Sequence, residues 1–171
     1  MENWCYEKEA LEVFARHYET EEPLSDTLIE QLVKSKNCVT GTMIQRQCYL
    51  SFLSLIYFGK DPADQDTTQT MQDLYAKICP NYKNSKESHW QLSFGHLTSY
   101  GPKYYSYLWS KVFALDLFDK VKEKGLLDPK IGHLYRKKIL EPGGAIDPNK
   151  LLEDFLGRAP NSDAFFRDLG L

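Results

Sequence analysis

Residues 101–125 read GPKYYSYLWSKVFALDLFDKVKEKG and carry the clearest helical pattern in the chain. A Gly-Pro pair opens the stretch and a glycine closes it, which are ordinary boundaries of a helix. Between them the apolar residues recur every three or four positions, the spacing of one buried stripe on an α-helix: Leu108, Val112, Leu115 and Phe118. The stretch therefore predicts a long amphipathic helix.

The same period continues outward from this stretch in both directions. Thr40 to Phe58 predicts a helix that becomes apolar on nearly every side, and Asp147 is the predicted N-cap of a helix that stops at Gly157. Near the N-terminus, one apolar stripe predicts a helix that begins almost at residue 1: Trp4, Leu11, Phe14 and Tyr18. These patterns favour a continuous array of packed helices.

No internal repeat and no convincing pair of strands interrupts the helical pattern. The sequence therefore predicts an all-α fold, a multi-helix array arranged as a single helical domain over residues 1–171. Within it, residues 81–93 are polar and without a clear period, which predicts a surface loop.

Composition excludes several classes of protein. The chain has 171 residues, 42% of them hydrophobic, and a net charge of −3, which is typical of a globular protein. Residues 101–140 carry nine Lys and Arg against four Asp and Glu, but Arg136 is their single arginine, so nucleic acid is not an expected partner. The longest uncharged stretch is too short to span a bilayer, and no membrane partner is expected.

Common catalytic motifs are missing from the chain. None of the four histidines is followed by Glu, so there is no H-E-x-x-H zinc motif, and there is neither a P-loop nor a G-x-S-x-G elbow. The sequence therefore predicts no metal site of its own. The four cysteines form no C-x-x-C pair, and the N-terminus resembles neither a secretory signal nor a transit peptide, which favours free thiols.

One segment combines a histidine with several tyrosines. His96 precedes Tyr100, Tyr104 and Tyr107, whose spacing of four and three is that of one helical face. The Gly101-Pro102 pair leaves open whether Tyr100 belongs to that helix or to the preceding loop. A phenol keeps its proton up to a pKa near 10, so it can donate to the oxyanion of a tetrahedral intermediate. His96 could donate likewise or move a proton. The alternative is ordinary core packing with the hydroxyls at its rim, and the pattern alone leaves both interpretations open.

Several stretches of the chain resemble one known family. Residues 94–110, FGHLTSYGPKYYSYLWS, resemble the substrate-facing loop and helix of the zinc metallopeptidases that include thimet oligopeptidase, neurolysin and mitochondrial intermediate peptidase. MENW at residues 1–4, RHY at 16–18, RQ at 46–47 and the tail over 135–165 also match family positions, in family order. The resemblance thus covers nearly the whole chain.

The resemblance implies both an architecture and a set of functional residues. The chain would form the C-terminal part of a two-lobed, channel-containing helical peptidase that hydrolyses short peptides. Residues 94–103 would be a substrate-facing loop. Tyr107 and His96 would be catalytic, with Tyr107 as the oxyanion donor, and four further residues would bind substrate: Tyr100, Tyr104, Gly95 and Gly101.

The resemblance also implies what this chain does not supply. The family's zinc ligands lie upstream of the stretch that matches residues 1–4, so zinc is expected in the complete enzyme and not in this chain. The chain is then expected to be a fragment, inactive alone, whose partners are short peptides and the missing zinc-bearing part. A cytoplasmic location is implied, with the mitochondrial matrix as the alternative. The competing hypothesis is a non-catalytic helical module that binds peptides in a tyrosine-lined groove.

Overall fold

The computed structural model of the protein describes residues 2–59 and 61–171. Nine α-helices lie in this part of the chain: α1 (Lys8–Phe14), α2 (Asp26–Ser35), α3 (Thr40–Phe58), α4 (Thr67–Ile78), α5 (His96–Ser99), α6 (Ser106–Lys124), α7 (Pro129–Tyr135), α8 (Pro148–Leu156) and α9 (Asp163–Asp168). A π-helical turn, Arg136–Leu140, follows α7 directly. In these residues the only extended pairing is an isolated bridge between Arg16 and Pro23. The predicted all-α fold is confirmed.

Side chains next to the helix ends explain where several helices begin and stop. Asp147 accepts hydrogen bonds from the backbone N–H groups of Asn149 and Lys150, with Pro148 at the first position of α8. The helix ends at Gly157, whose φ of 74° is the left-handed conformation that glycine adopts without strain. These are the boundaries that the sequence predicted for α8.

The chain divides into two compact units, each of which has its own core. The first contains the chain up to Val39 together with Lys111–Leu171, and the second contains Thr40–Ser110. The single domain predicted over residues 1–171 stays a prediction, because compact units of this size also occur inside one domain.

The core of the first unit lies where α1, α6, α7 and α8 meet. Phe155 is 1% exposed, and its ring lies 5.7 Å from that of Tyr135. Trp4 packs edge-on against Phe118 with ring centroids 4.6 Å apart. The predicted stripe of α6 is buried at Leu115 and Phe118.

The predicted N-terminal helix is wrong in its length. Residues Glu2–Tyr6 form a 3-10 helix, and α1 ends at Phe14, which is 60% exposed. Tyr18, the predicted last member of the stripe, is 86% exposed. The chain turns at His17, whose ring nitrogen Nδ1 accepts the backbone N–H groups of Glu19 and Thr20. This side-chain contact stabilises the turn that follows α1.

The core of the second unit is rich in aromatic rings carried by α3, α4 and the segment after residue 89. Tyr49 and Leu53 of α3 are 1% and 0% exposed, and Met71 of α4 is 0% exposed. The ring of Tyr49 lies 5.2 Å from that of Tyr75, nearly perpendicular to it. Phe94 is 5.2 Å from both Trp90 and Tyr104, measured between ring centroids. This core supports the segment that holds the predicted site.

The segment predicted to be a loop contains short helical turns. Residues 81–89 are without helix, but Trp90–Ser93 and Gly101–Lys103 are 3-10 turns on either side of α5. Turns of three or four residues are too short to produce a recognisable hydrophobic period.

All four cysteines are free thiols, as the sequence favours. Cys5 and Cys38 are exposed, Cys48 is half-buried, and Cys79 is buried in the second unit. Burial raises the pKa of the Cys79 thiol, and the nearby positive charge of Arg46 opposes that rise. Across the part of the chain that the structure describes, we find no helix with the length and apolar character that crossing a membrane requires.

Candidate functional site

The predicted histidine and tyrosines converge in the second unit. His96 Nε2 lies 3.0 Å from the hydroxyl oxygen of Tyr107, a hydrogen bond whose donor depends on the histidine tautomer. The His96 ring lies 5.4 Å from that of Tyr100 and 5.0 Å from that of Tyr104. The Tyr104 and Tyr107 rings are themselves 5.0 Å apart. We call these four residues the His96 cluster.

The cluster is assembled by successive short turns and not by one helical face. His96 begins α5, Tyr100 caps its end, Tyr104 follows the 3-10 turn Gly101–Lys103, and Tyr107 lies in the first turn of α6. Tyr100 therefore lies before α6, which is the alternative that the Gly101-Pro102 pair left open, and the predicted proximity of the tyrosines is present. Gly101 sits at the bend with φ of 56°, a conformation that side chains rarely adopt.

The positive φ, and not close packing, explains the glycine at position 101. A Cβ atom placed there would lie 3.8 Å from the ring of Phe58 on α3, which is an ordinary van der Waals contact. Gly95, in contrast, has an ordinary helical φ of −56° and open space around the position of a Cβ atom. Of the two glycines predicted to bind substrate, only Gly101 is thus required by the fold.

The four members of the cluster differ in their exposure to solvent. Tyr104 is only 7% exposed and belongs to the core, whereas Tyr100 and Tyr107 are 44% and 42% exposed. His96 is half-buried between them. The two exposed phenols and the histidine edge are therefore the groups that a ligand can reach, and Tyr104 supports them from beneath.

The electrostatic environment keeps Tyr107 protonated. The interaction with the Tyr100 side chain, followed by partial loss of hydration, raises the pKa of Tyr107 above its ordinary value. A phenol with a raised pKa is a hydrogen-bond donor throughout the neutral range. The hydroxyl of Tyr107, next to His96, can therefore donate to an oxygen atom of a bound ligand.

A cavity of about 450 Å³ adjoins the cluster. Its lining includes His96, Tyr100 and Tyr104 from the cluster and also Trp90 and Arg46. The Arg46 guanidinium lies over the Trp90 ring, 5.5 Å from its centroid. We call this space the large cavity. No local sequence pattern joins Arg46 to this site, because α3 and the His96 segment are separated by more than 30 residues.

A smaller cavity of about 140 Å³ lies on another side of Arg46 and Trp90. It is also lined by Tyr49, Asn84 and Ser88. The Tyr49 hydroxyl is buried without a hydrogen-bond partner. Burial raises the pKa of Tyr49, so this phenol too remains protonated.

The described residues do not form a metal site. Within 2–59 and 61–171, no group of three or more His, Cys, Asp and Glu side chains is arranged to hold a metal ion. His96 is surrounded by phenols, which are weaker ligands for zinc than thiolate, imidazole or carboxylate groups. The arrangement is therefore suited to hydrogen bonding of a ligand and not to metal binding.

Comparison with known proteins gives a consistent result. All of residues 1–171 match peptidase family M3. The chain is 35% identical over 176 residues to oligopeptidase A of Haemophilus influenzae, covering 100% of this chain and 26% of that protein. It is 34% identical over 174 residues to saccharolysin of Saccharomyces cerevisiae, covering 100% of this chain and 24% of the relative.

A third relative comes from a plant. The chain is 32% identical over 160 residues to the mitochondrial intermediate peptidase of Arabidopsis thaliana, covering 92% of this chain and 22% of that protein. The chain thus spans about a quarter of the length of these curated relatives.

Proposed function

The chain belongs to peptidase family M3, and from that premise we propose that it is the C-terminal part of a zinc-dependent oligopeptidase that hydrolyses short peptides. The observation that carries the proposal is the His96 cluster, in which Tyr107 shares a 3.0 Å hydrogen bond with His96 and stays exposed to a ligand. The name of the relative oligopeptidase A supports short peptides as the substrate.

In the proposed reaction, the residues of this chain bind the peptide and stabilise charge. The Tyr107 hydroxyl donates to the carbonyl oxygen of the scissile bond and donates more strongly as negative charge develops there. His96 holds that hydroxyl in place through the hydrogen bond that they share. Tyr100 and the backbone at Gly95 and Gly101 contact the peptide, and Tyr104 supports both functional side chains from the core.

Within residues 2–59 and 61–171, no group of three or more potential ligands is arranged to hold zinc. We therefore propose that the zinc-bearing segment is a partner and corresponds to the portion of the relatives that this chain does not cover. The chain alone is then inactive. The cytoplasm is the proposed location and the mitochondrial matrix the alternative, in keeping with a relative named as mitochondrial.

A chimera tests the role of Tyr107. The matching segment of Haemophilus influenzae oligopeptidase A is replaced by this chain, and hydrolysis of a quenched fluorescent peptide is measured. Tyr107→Phe should lower kcat by about 10²–10³-fold, because one oxyanion donor is lost, while KM changes little. Tyr105→Phe is the matched control, since the neighbouring Tyr105 is 47% exposed and lies outside the cluster. Equal kcat values for the two variants would remove Tyr107 from the oxyanion role.

A second candidate is a non-catalytic module that binds peptides. It is favoured by the absence of metal ligands in the described residues together with an intact His96 cluster. Calorimetry with the isolated chain would show peptide binding that Tyr104→Ala abolishes. The two candidates separate in the chimera, because only the oligopeptidase part restores hydrolysis.

A further inference from the structure

Among the described residues, neither Arg46 nor Arg16 forms an ion pair with a carboxylate, and Arg46 is the one of these two that lines a cavity. The other three arginines pair with carboxylates: Arg136 with Glu141, Arg158 with Asp116, and Arg167 with Asp119. Arg16 donates to the backbone oxygen of Glu21. Among residues 2–59 and 61–171, no carboxylate lies within 4.0 Å of the Arg46 guanidinium.

Neither cavity beside Arg46 contains an acidic side chain to neutralise it. The lining of the large cavity has Arg46 as its one permanently charged side chain, and the same is true of the smaller cavity. The remaining lining consists mainly of aromatic rings and neutral hydroxyl or amide groups. A positive charge in such surroundings attracts an anion, and a guanidinium presents its N–H groups in a fork that fits a carboxylate.

The position of Arg46 is fixed by its packing. The guanidinium stacks over Trp90, and the Trp90 ring itself packs against Phe94 with centroids 5.2 Å apart. Stacking on a ring leaves the edge of the guanidinium free to donate. The buried hydroxyl of Tyr49, which has no partner, is a further donor on the side of the smaller cavity. Arg46 and the Tyr49 hydroxyl thus supply hydrogen-bond donors to the two cavities.

We propose that Arg46 binds a carboxylate group of a peptide held in the large cavity, with the neighbouring side chain of that peptide packed against the aromatic walls. The inference rests on the proposed function for the identity of the ligand as a peptide. The volume of about 450 Å³ accommodates a terminal residue with its carboxylate. Arg46 is then a specificity residue for acidic groups, distinct from the His96–Tyr107 pair that contacts the scissile bond.

The carboxylate can belong to the C-terminus of the peptide or to an acidic side chain, and four tripeptide probes distinguish these sources. Ala-Ala-Phe with a free carboxylate is compared with its C-terminal amide. Ala-Glu-Phe amide is compared with Ala-Gln-Phe amide. Binding to the 171-residue chain is measured by calorimetry. We expect about tenfold tighter binding for the carboxylate member of at least one pair, the scale of a charge-assisted hydrogen bond.

Variants of the chain then assign that preference to Arg46. In Arg46→Gln the carboxylate probe and its neutral counterpart should bind with about equal affinity. Arg46→Lys should retain part of the preference, because the positive charge remains but the planar fork is lost. Arg136→Gln is the matched control, since it removes an exposed arginine of the first unit, and should keep the full preference. Circular dichroism establishes that each variant is folded, and the lysine variant carries the test if the glutamine variant does not fold.

Each outcome either supports or overturns the proposal. A preference that Arg46→Gln removes and Arg136→Gln retains supports it. Equal binding of both members in both pairs, or a preference unchanged in Arg46→Gln, overturns it. In that case the amide probes still test the peptide site. If they bind and Tyr104→Ala abolishes their binding, the proposed peptide site stands without the carboxylate contact. Failure of all four probes to bind overturns both the carboxylate site and the peptide site in this chain.

Discussion

A buried carboxylate on α6 provides the sharpest test of the energetics of the first unit. Asp116 is 1% exposed and accepts hydrogen bonds from both terminal nitrogens of Arg158, one of them at 2.9 Å. It also accepts the backbone N–H of Asn161 at 3.0 Å. These bonds connect α6 to the chain after α8. Asp116→Asn removes the charge with almost no change in volume.

The expected loss follows from the exposure of the partner. Breaking a fully buried ion pair costs about 3–5 kcal/mol because the remaining charge is left without water. Arg158 is 47% exposed, so its guanidinium regains hydration in the variant. We therefore expect Asp116→Asn to lower the free energy of unfolding by about 2 kcal/mol, the scale of a lost charge-assisted hydrogen bond.

Asp119 on the same helix is the matched control. It pairs with Arg167, but the two side chains are 37% and 62% exposed. Asp119→Asn should therefore cost less than about 1 kcal/mol. Urea unfolding followed by circular dichroism and by tryptophan fluorescence measures both, and Trp4 reports directly on this core because it packs on Phe118. Equal losses for the two variants would refute the argument from burial.

The effect of Asp116→Asn should also depend on pH. Burial alone would raise the pKa of Asp116, but the Arg158 and Asn161 hydrogen bonds outweigh it and hold the pKa below its ordinary value. A carboxyl whose folded pKa is depressed stabilises the fold above its unfolded pKa of about 3.9 and loses that contribution as the pH falls through its folded pKa. The difference between wild type and Asp116→Asn should be constant from neutral pH to about pH 5 and shrink below about pH 4. A difference that persists in acid would contradict this assignment.

Three further substitutions test packing, backbone conformation and capping, each by urea unfolding. Phe155→Ala should lower the free energy of unfolding by about 3–5 kcal/mol, because the ring is 1% exposed, and a loss near zero would contradict its place in the core. Gly157→Ala should cost about 1 kcal/mol at its φ of 74°, whereas Gly144→Ala, with open space at its Cβ position and no positive φ, should cost little. Asp147→Ala should cost about 1 kcal/mol by removing the N-cap of α8, and Asp147→Asn should retain most of that stability.

The sequence predicted best where the signals are local. The predicted bounds of α3, Thr40 to Phe58, are those of the structure, and Asp147 and Gly157 bound α8 as expected. A cap or a left-handed glycine acts within a few residues, so its effect is visible in the sequence. The N-terminal apolar stripe predicted a helix that is too long, because the side chain of His17 holds a turn after α1.

The sequence predicted that the residues of the His96 cluster lie close together, but it did not predict which elements bring them together. The spacing of Tyr100, Tyr104 and Tyr107 correctly indicated proximity, yet two consecutive short turns and the start of α6 produce it. The sequence predicted no role for Arg46 or for the buried Asp116. Their partners, Trp90 and Arg158, lie 44 and 42 residues away in the chain. Contacts at such separations arise from the packing of whole helices, which a hydrophobic period does not specify.

Because Cys79 is buried, its reaction with a thiol reagent reports the local opening of the second unit. A thiol reacts with an electrophile as thiolate and only when it is accessible, and the buried Cys79, with its raised pKa, meets neither condition in the closed unit. Cys5 and Cys38 are exposed and belong to the first unit, so they define the immediate phase of labelling. Because Cys79 can be labelled only after its surroundings separate, the rate of its modification by a thiol reagent gives the free energy of local opening in Thr40–Ser110 without an introduced cysteine.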